Sequence, residues 1–243
     1  MPPAAERLTP WTAGPVRLAV FDFDGTLSLI REGWAGVMAD LGRDLAPRLD
    51  RDALELEMLG LSGQPSLVQM QRLVELAGGG DAEELHAEFL RRLFDRVGGR
   101  IADLEAGRVP PATWAVAGSH TLLTALRERG VELVLLSGTD RPGVVRELGL
   151  LDLAHFFGDR VYAPERPGFT KRAVLDALGV SGPDLLGVGD GWAETVEVKR
   201  LGGRVVGVAS RVGGGVNPVK RRLLAGWGAD VIVPDLTGVA ALL

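Results

Sequence analysis

The chain has 243 residues, a formal net charge of −5, and 46% hydrophobic against 24% charged residues, the balance of a globular protein with enough apolar surface to bury a substantial core. With no dense run of Lys or Arg it lacks the electrostatic footprint of a nucleic-acid binder or of a helix held to a membrane surface, so small-molecule partners are expected. The absence of cysteine excludes disulfides, thiolate nucleophiles and Cys-ligated zinc by inventory.

Residues 1–15 are rich in Pro and Ala and carry neither the basic start and apolar run of a signal peptide nor a membrane span, which predicts a loose, flexible tail on a cytoplasmic protein. The fold starts at residues 17–22, where Leu18-Ala19-Val20-Phe21 is an unbroken apolar run of the kind found in strands buried on both faces. From about residue 28 to 116 strand-like runs give way to amphipathic helical stretches, such as 66–76 and 82–97. Pro47, Gly60, Gly63, Pro65 and Gly78-Gly79-Gly80 divide this block into several helices, and Val109-Pro110-Pro111 marks its end. Strand patterns then return at 131–136, 185–188, 204–208 and 231–233, separated by helical patterns at 121–129, 170–178, 193–201 and 219–225. The alternation predicts an α/β fold: a doubly wound, Rossmann-like parallel sheet built from residues 16–27 and 117–243, with an α-helical domain, 28–116, inserted after the first strand. No repeat of useful length suggests a solenoid.

Three of these strands run into a polar residue: Phe21 into Asp22, Leu136 into Ser137, Val188-Gly189 into Asp190. In open parallel sheets ligands bind outside the carboxyl ends of the strands, so the three form a candidate site rather than three unrelated turns. The first of them opens Asp22-Phe23-Asp24-Gly25-Thr26-Leu27, which resembles the first motif of the haloacid dehalogenase-like hydrolase superfamily. The resemblance implies that Asp22 attacks phosphorus to become an aspartyl phosphate, while Asp24 handles the proton of the leaving group. The division of labour is sensible, because a nucleophile must stay ionised while a general acid must have a proton to give.

The remaining motifs of the family follow. Leu135-Leu136-Ser137-Gly138-Thr139 resembles the second, which implies phosphate binding by the Ser137 hydroxyl and the Gly138 N–H, and Pro142 favours a helix just beyond. Lys171 matches the third, and its retention is informative because only Lys171, Lys199 and Lys220 among the 27 basic residues are lysine. Leu186-Gly187-Val188-Gly189-Asp190-Gly191-Trp192-Ala193-Glu194 resembles the acidic fourth motif. It implies a Mg2+ ion held by Asp190, the Asp22 carboxylate and the Asp24 backbone carbonyl. Glu194 stands where the family often has aspartate, and its longer arm suits contact with the ion through water or a hydrogen bond. The same stretch is not a dinucleotide fingerprint, since Trp192 fills the place of the third glycine. His86, His120 and His155 lack metal-ligand spacing.

An insert after the first strand implies, by the same resemblance, a mobile cap that closes over the site and selects the substrate. Within it Arg31 and Gln64 are the candidate substrate contacts, with Glu32, Trp34 and the loop 59–66 nearby, and the glycine-rich loop 211–218 is a further candidate rim. Dehalogenation is disfavoured by the presence of Asp24 and Asp190, and Schiff-base phosphonate cleavage by the absence of lysine from residues 28–116. A phosphoric monoester hydrolase (phosphatase) acting on a small phosphorylated metabolite, such as a sugar phosphate, is the leading expectation. A mutase of the β-phosphoglucomutase type and a phosphate-binding protein without turnover stand as alternatives. Oligomeric state has no signature in the sequence.

Overall fold

The computed structural model describes residues 5–11, 13–165 and 168–243. Its seven strands are β1 (Glu6–Arg7), β2 (Leu18–Phe21), β3 (Glu132–Leu136), β4 (Val161–Tyr162), β5 (Leu185–Gly189), β6 (Arg204–Val208) and β7 (Val231–Val233), arranged in the order β1-β7-β6-β5-β2-β3-β4. Neighbours are parallel except β1, which is antiparallel to β7. Between β2 and β3 lie α1 (Trp34–Leu45), α2 (Arg51–Gly60), α3 (Ser66–Ala77) and α4 (Ala82–Glu105). The rest of the helices are α5 (Ser119–Glu128), α6 (Arg141–Leu150), α7 (Ala154–Phe157), α8 (Lys171–Leu178), α9 (Val198–Arg200) and α10 (Pro218–Trp227), with a π-helical turn, Ala193–Glu197, running into α9. The doubly wound α/β architecture expected from the strand and helix alternation is the one found.

The period-two geometry of a strand explains the continuous apolar runs. Ala19, Phe21, Leu133, Leu135, Leu186 and Val188 face one core with Leu122 and Leu126 of α5, Val144 of α6 and Phe157 of α7. Their neighbours Leu18, Val20, Val134, Leu136 and Leu185 face the other, with Leu175 of α8, Val198 of α9 and Leu224 of α10. With both faces covered there is no polar alternation to see. The first core continues into the helical block through Met38, Leu41, Met58, Met70, Leu73 and Phe89. The chain leaves and re-enters the sheet region through paired backbone: Ser28 bridges Ala115, Leu29 N–H donates to the Trp114 carbonyl at 2.7 Å, and Val116 N–H to that of Leu27 at 2.9 Å.

The expectation of a loose tail over residues 1–15 is corrected by β1. Glu6 and Arg7 pair with Ile232 and Val231, the Leu8 N–H donates to the Asp230 carbonyl at 2.9 Å, and Trp11 Nε1 donates to the Leu242 carbonyl at 2.7 Å. This strand satisfies the free edge of β7 with its backbone groups, and the Glu6 side chain adds an ion pair with Arg221, so its polar sequence carries no hydrophobic signature. Residues 1–4 and 12 of that segment lie outside the described residues. No helix among the described residues is long and apolar enough to cross a membrane.

Where the chain returns to the sheet, Gly118 caps α5 with φ +84°, and a Cβ there would lie 2.4 Å from the backbone carbon of Leu236. Gly118→Ala is therefore expected to cost more than about 2 kcal/mol, since left-handed strain alone accounts for roughly 1–2 kcal/mol and backbone overlap adds to it. Urea unfolding followed by circular dichroism measures the loss, and an unchanged midpoint would show that the chain at 236–237 yields freely.

Candidate active site

The strand order reverses direction around β2, which sits between β3 and β5, and the crevice beyond their carboxyl ends is where the polar strand ends meet. Asp22 follows β2 directly and its N–H donates to the Val188 carbonyl at 3.0 Å, tying the two strand ends together. The chain then turns sharply, Leu27 and Ser28 both donating N–H to the Phe23 carbonyl, and the turn presses Gly25 against Asp190 so closely that a Cβ on Gly25 would fall 2.0 Å from Asp190 Oδ2. Asp22 and Asp190 are 4% and 3% exposed, so the first and fourth motifs meet in a buried place.

Lys171 begins α8, whose N-cap Thr170 accepts the Ala173 N–H. Its ammonium reaches across to Asp22 Oδ1 at 2.7 Å and Glu194 Oε1 at 2.5 Å. Burial opposes its charge, yet the two carboxylates outweigh that and raise its pKa above the ordinary lysine value. Burial pushes Glu194 up to about 8, with the charge of Asp22 adding to the effect and Lys171 opposing it. Asp190 is likewise pushed up by burial, to about 7, and only partly held down by Lys220. Asp24 is raised by burial, against the pull of Arg31. The Thr139 hydroxyl donates to Asp24 Oδ2 at 2.7 Å, and the Thr139 N–H donates to Ser137 Oγ at 3.0 Å. Ser137 is fully buried, and Thr139 is the neighbour that touches an acid of the first motif, a contact its position in the second motif did not announce.

Two further charged groups complete the arrangement. Lys220, on α10 behind the N-cap Asn217, is 4% exposed and places its ammonium 2.9 Å from Asp190 Oδ2 and 3.2 Å from Glu32 Oε2. Nothing in its local sequence, a helix shared with Arg221 and Arg222, marks it apart from the scarcity of lysine. Arg31 is buried, donates from Nε to Glu147 Oε1 at 2.9 Å and lies over the Phe94 ring at 5.5 Å.

A cavity of about 670 Å³ opens from Asp22 and Asp24 and is lined by Arg31 and Gln64 from the helical block and by Gly138 and Thr139 from the sheet. Ser137, Lys171, Asp190 and Glu194 are not on its wall but lie buried around Asp22. The loop before α3 closes it: the Trp192 N–H donates to the Ser62 carbonyl at 3.1 Å, and a Cβ on Gly138 or Gly191 would come 3.0 Å from the carbonyl oxygen of Gln64 or Ser62. Both glycines thus give room to a crossing backbone, so at Gly138 the close approach is made by the protein's own loop. The glycine-rich segment 211–216 is exposed and contributes nothing to the cavity wall.

The donor set suits a hard divalent cation. Asp190 Oδ1, Asp24 Oδ1 and Glu194 Oε2 are buried acceptors without a hydrogen-bond partner. Among the described residues no three His, Cys, Asp or Glu side chains form a closed cage, which an ion that keeps several waters does not need. Asp190 and Asp24 each offer such a cation one unpartnered oxygen, while Glu194, engaged through Oε1 with Lys171, has only Oε2 to offer.

The family model of haloacid dehalogenase-like hydrolases matches residues 16–198. The chain belongs to that family of hydrolases. Solved structures share its fold at low identity: a predicted phosphoglycolate phosphatase from Haemophilus somnus 129PT (19% identity, 95% of this chain and 99% of that one, TM-score 0.64) and a β-phosphoglucomutase from Clostridium difficile (15%, 92% and 93%, TM-score 0.64). A HAD family hydrolase from Deinococcus radiodurans R1 with bound phosphate and sodium aligns over 95% of this chain and 99% of its own at 19% identity and a TM-score of 0.55. No match was found among curated proteins.

Replacing Lys220 by Met strands the carboxylates of Asp190 and Glu32, and removing one partner of a buried ion pair typically costs about 3–5 kcal/mol. Lys199→Met, which breaks a more exposed pair with Asp230, is expected to lose less than about 1 kcal/mol. Chemical denaturation of the two variants side by side checks the difference.

Proposed function

We propose that the chain is a magnesium-dependent phosphatase that hydrolyses small phosphate monoesters through an aspartyl phosphate on Asp22. The observation that carries this reading is the Lys171 ammonium fixed 2.7 Å from Oδ1 of Asp22, a residue that lines the cavity. A cation in that place orients the nucleophile through Oδ1, leaving Oδ2 for attack on phosphorus. As the Asp22 oxygen bonds to phosphorus, the ester P–O bond breaks and Asp24 gives its proton to the departing alcohol. Its raised pKa and its hydrogen bond from Thr139 support that role. Asp24, now a carboxylate, then takes a proton from a water whose oxygen attacks the phosphorus, releasing inorganic phosphate and restoring Asp22. Asp22, Asp190 and the Asp24 carbonyl would hold a magnesium ion, which when bound would supply charge neutralisation for the phosphoryl oxygens. Ser137 and the Gly138 N–H hold those oxygens, Glu194 keeps Lys171 in place, and Arg31 and Gln64 meet the substrate from the helical side.

In this reading residues 28–116 form a cap over a core of residues 16–27 and 117–243, admitting the ester when the loop over Gly138 and Gly191 lifts and excluding bulk water when it returns. Asp22→Asn is expected to lower phosphate release roughly a thousandfold or more with the fold intact by circular dichroism. Chelation should abolish the activity and added Mg2+ restore it. Full activity in the Asn variant would overturn the assignment of the nucleophile. Incubating a sugar 1-phosphate with and without a bisphosphate primer separates hydrolysis from mutase chemistry, the expected product being free phosphate and not an isomer.

A further inference from the structure

The cavity is much larger than a phosphoryl group requires, and its far wall has a distinct chemistry. At about 670 Å³ it falls within the range of roughly 300–1,000 Å³ typical of pockets that enclose a whole small molecule. Away from Asp22 and Asp24 the wall is made by Trp34 and Met38 of α1, Leu67 of α3, Phe89 and Leu93 of α4, and Phe169 in the loop before α8. Met38, Phe89 and Leu93 belong to the buried core, so this end is closed off by hydrocarbon.

Ser66, His86 and Gln69 on the same wall are already engaged, while Gln64 and Gln71 lie at its half-buried and exposed margins. Ser66 Oγ and His86 Nε2 are 2.7 Å apart and satisfy each other, and burial lowers the His86 pKa, keeping the ring neutral at pH 7. Gln69 donates to the Leu61 carbonyl at 3.0 Å. Arg31 is the one Lys or Arg among the described lining residues, and Glu147 already accepts its Nε–H. A sugar placed against Met38, Phe89 and Leu93 would turn hydroxyls toward carbon, and a second phosphate or a carboxylate would find no cation on the described wall beyond Arg31. Buried hydroxyls without partners are penalised, whereas each methylene taken out of water is gained.

Resting on the phosphatase reading above, we infer that the preferred substrates are phosphate monoesters of an alcohol with an apolar body, its hydrocarbon lying between α1, α3, α4 and Phe169 while its ester oxygen meets Asp24. The polar end of such a molecule lies at the sheet, the apolar end under the helices.

The test uses the full chain with Mg2+ and follows inorganic phosphate from ethyl, butyl and hexyl phosphate, whose leaving groups differ little in acidity, beside glycerol phosphate, glucose 6-phosphate and phosphoglycolate. Burial of about 0.8 kcal/mol per methylene predicts kcat/KM rising by about fourfold for each carbon added, until the cavity is filled. Glucose 6-phosphate and phosphoglycolate should fall at least tenfold below hexyl phosphate. Leu67→Asn and Phe169→Gln, both at half-buried positions, should each lower the hexyl-to-ethyl ratio severalfold, with thermal unfolding confirming that each variant is folded. An alkyl series without slope, or glucose 6-phosphate hydrolysed faster than hexyl phosphate, overturns the inference and leaves a phosphatase of polar esters. Failure to release phosphate from every ester overturns the phosphatase reading itself, and the inference with it.

Discussion

The arrangement of this molecule turns on the mutual repulsion of carboxylates gathered in one buried place. Asp22, Asp24, Asp190 and Glu194 converge at the ends of two adjacent strands, where burial makes every unpaired negative charge costly. Two lysines from opposite sides make the gathering tolerable. Lys171 enters from α8 between Asp22 and Glu194, and Lys220 enters from α10 between Asp190 and Glu32. Both are among the most enclosed charges in the chain, and both lie on helices that cover the same face of the sheet. The acids and the helices that deliver their counter-ions are therefore one structural unit, and acceptor oxygens of Asp24, Asp190 and Glu194 remain unmatched within it.

Much of this was legible before any coordinates. A strand buried on both faces writes itself as an uninterrupted apolar run, and the first polar residue after such a run stands at the carboxyl edge of the sheet. Asp22, Ser137 and Asp190 are found there for that reason. Lys171 was visible too, because a chain rich in arginine keeps lysine at few positions. The same scarcity pointed equally to Lys220, but its contact with Asp190 depends on how α10 docks, a tertiary fact with no local trace. Thr139 closes the second motif, but its contact with Asp24 depends on how the turn after β3 meets the turn after β2, which no local pattern reports. Two-residue strands such as β1 and β4 leave no periodicity to detect, and β1 is held by backbone pairing that any residue type can make.

The helical block illustrates a different limit. Amphipathic spacing announces that helices exist and which stripe is buried, but not what the stripe is buried against. Phe89, Leu93 and Met38 read as ordinary core positions in sequence, and they are, yet the same side chains also wall the cavity. Arg31 stands out by its closeness to the first strand and Gln64 by its place in the polar loop 59–66, and both reach the cavity wall, while the glycine-rich segment 211–216 does not. Proximity in sequence to a motif is a guide only where the intervening chain is short and taut.

The single backbone bond from Trp192 to the Ser62 carbonyl has a kinetic meaning. It spans from the residue next but one after Asp190 to the tip of the loop ahead of α3, so the two halves cannot part without breaking it. It acts as a latch made by the backbone N–H of Trp192, and the indole of the same residue is a native optical reporter close in sequence to Asp190. Any lifting of the loop ahead of α3 away from the turn after Asp190 must first break that bond, so its rupture enters the rate of such a motion.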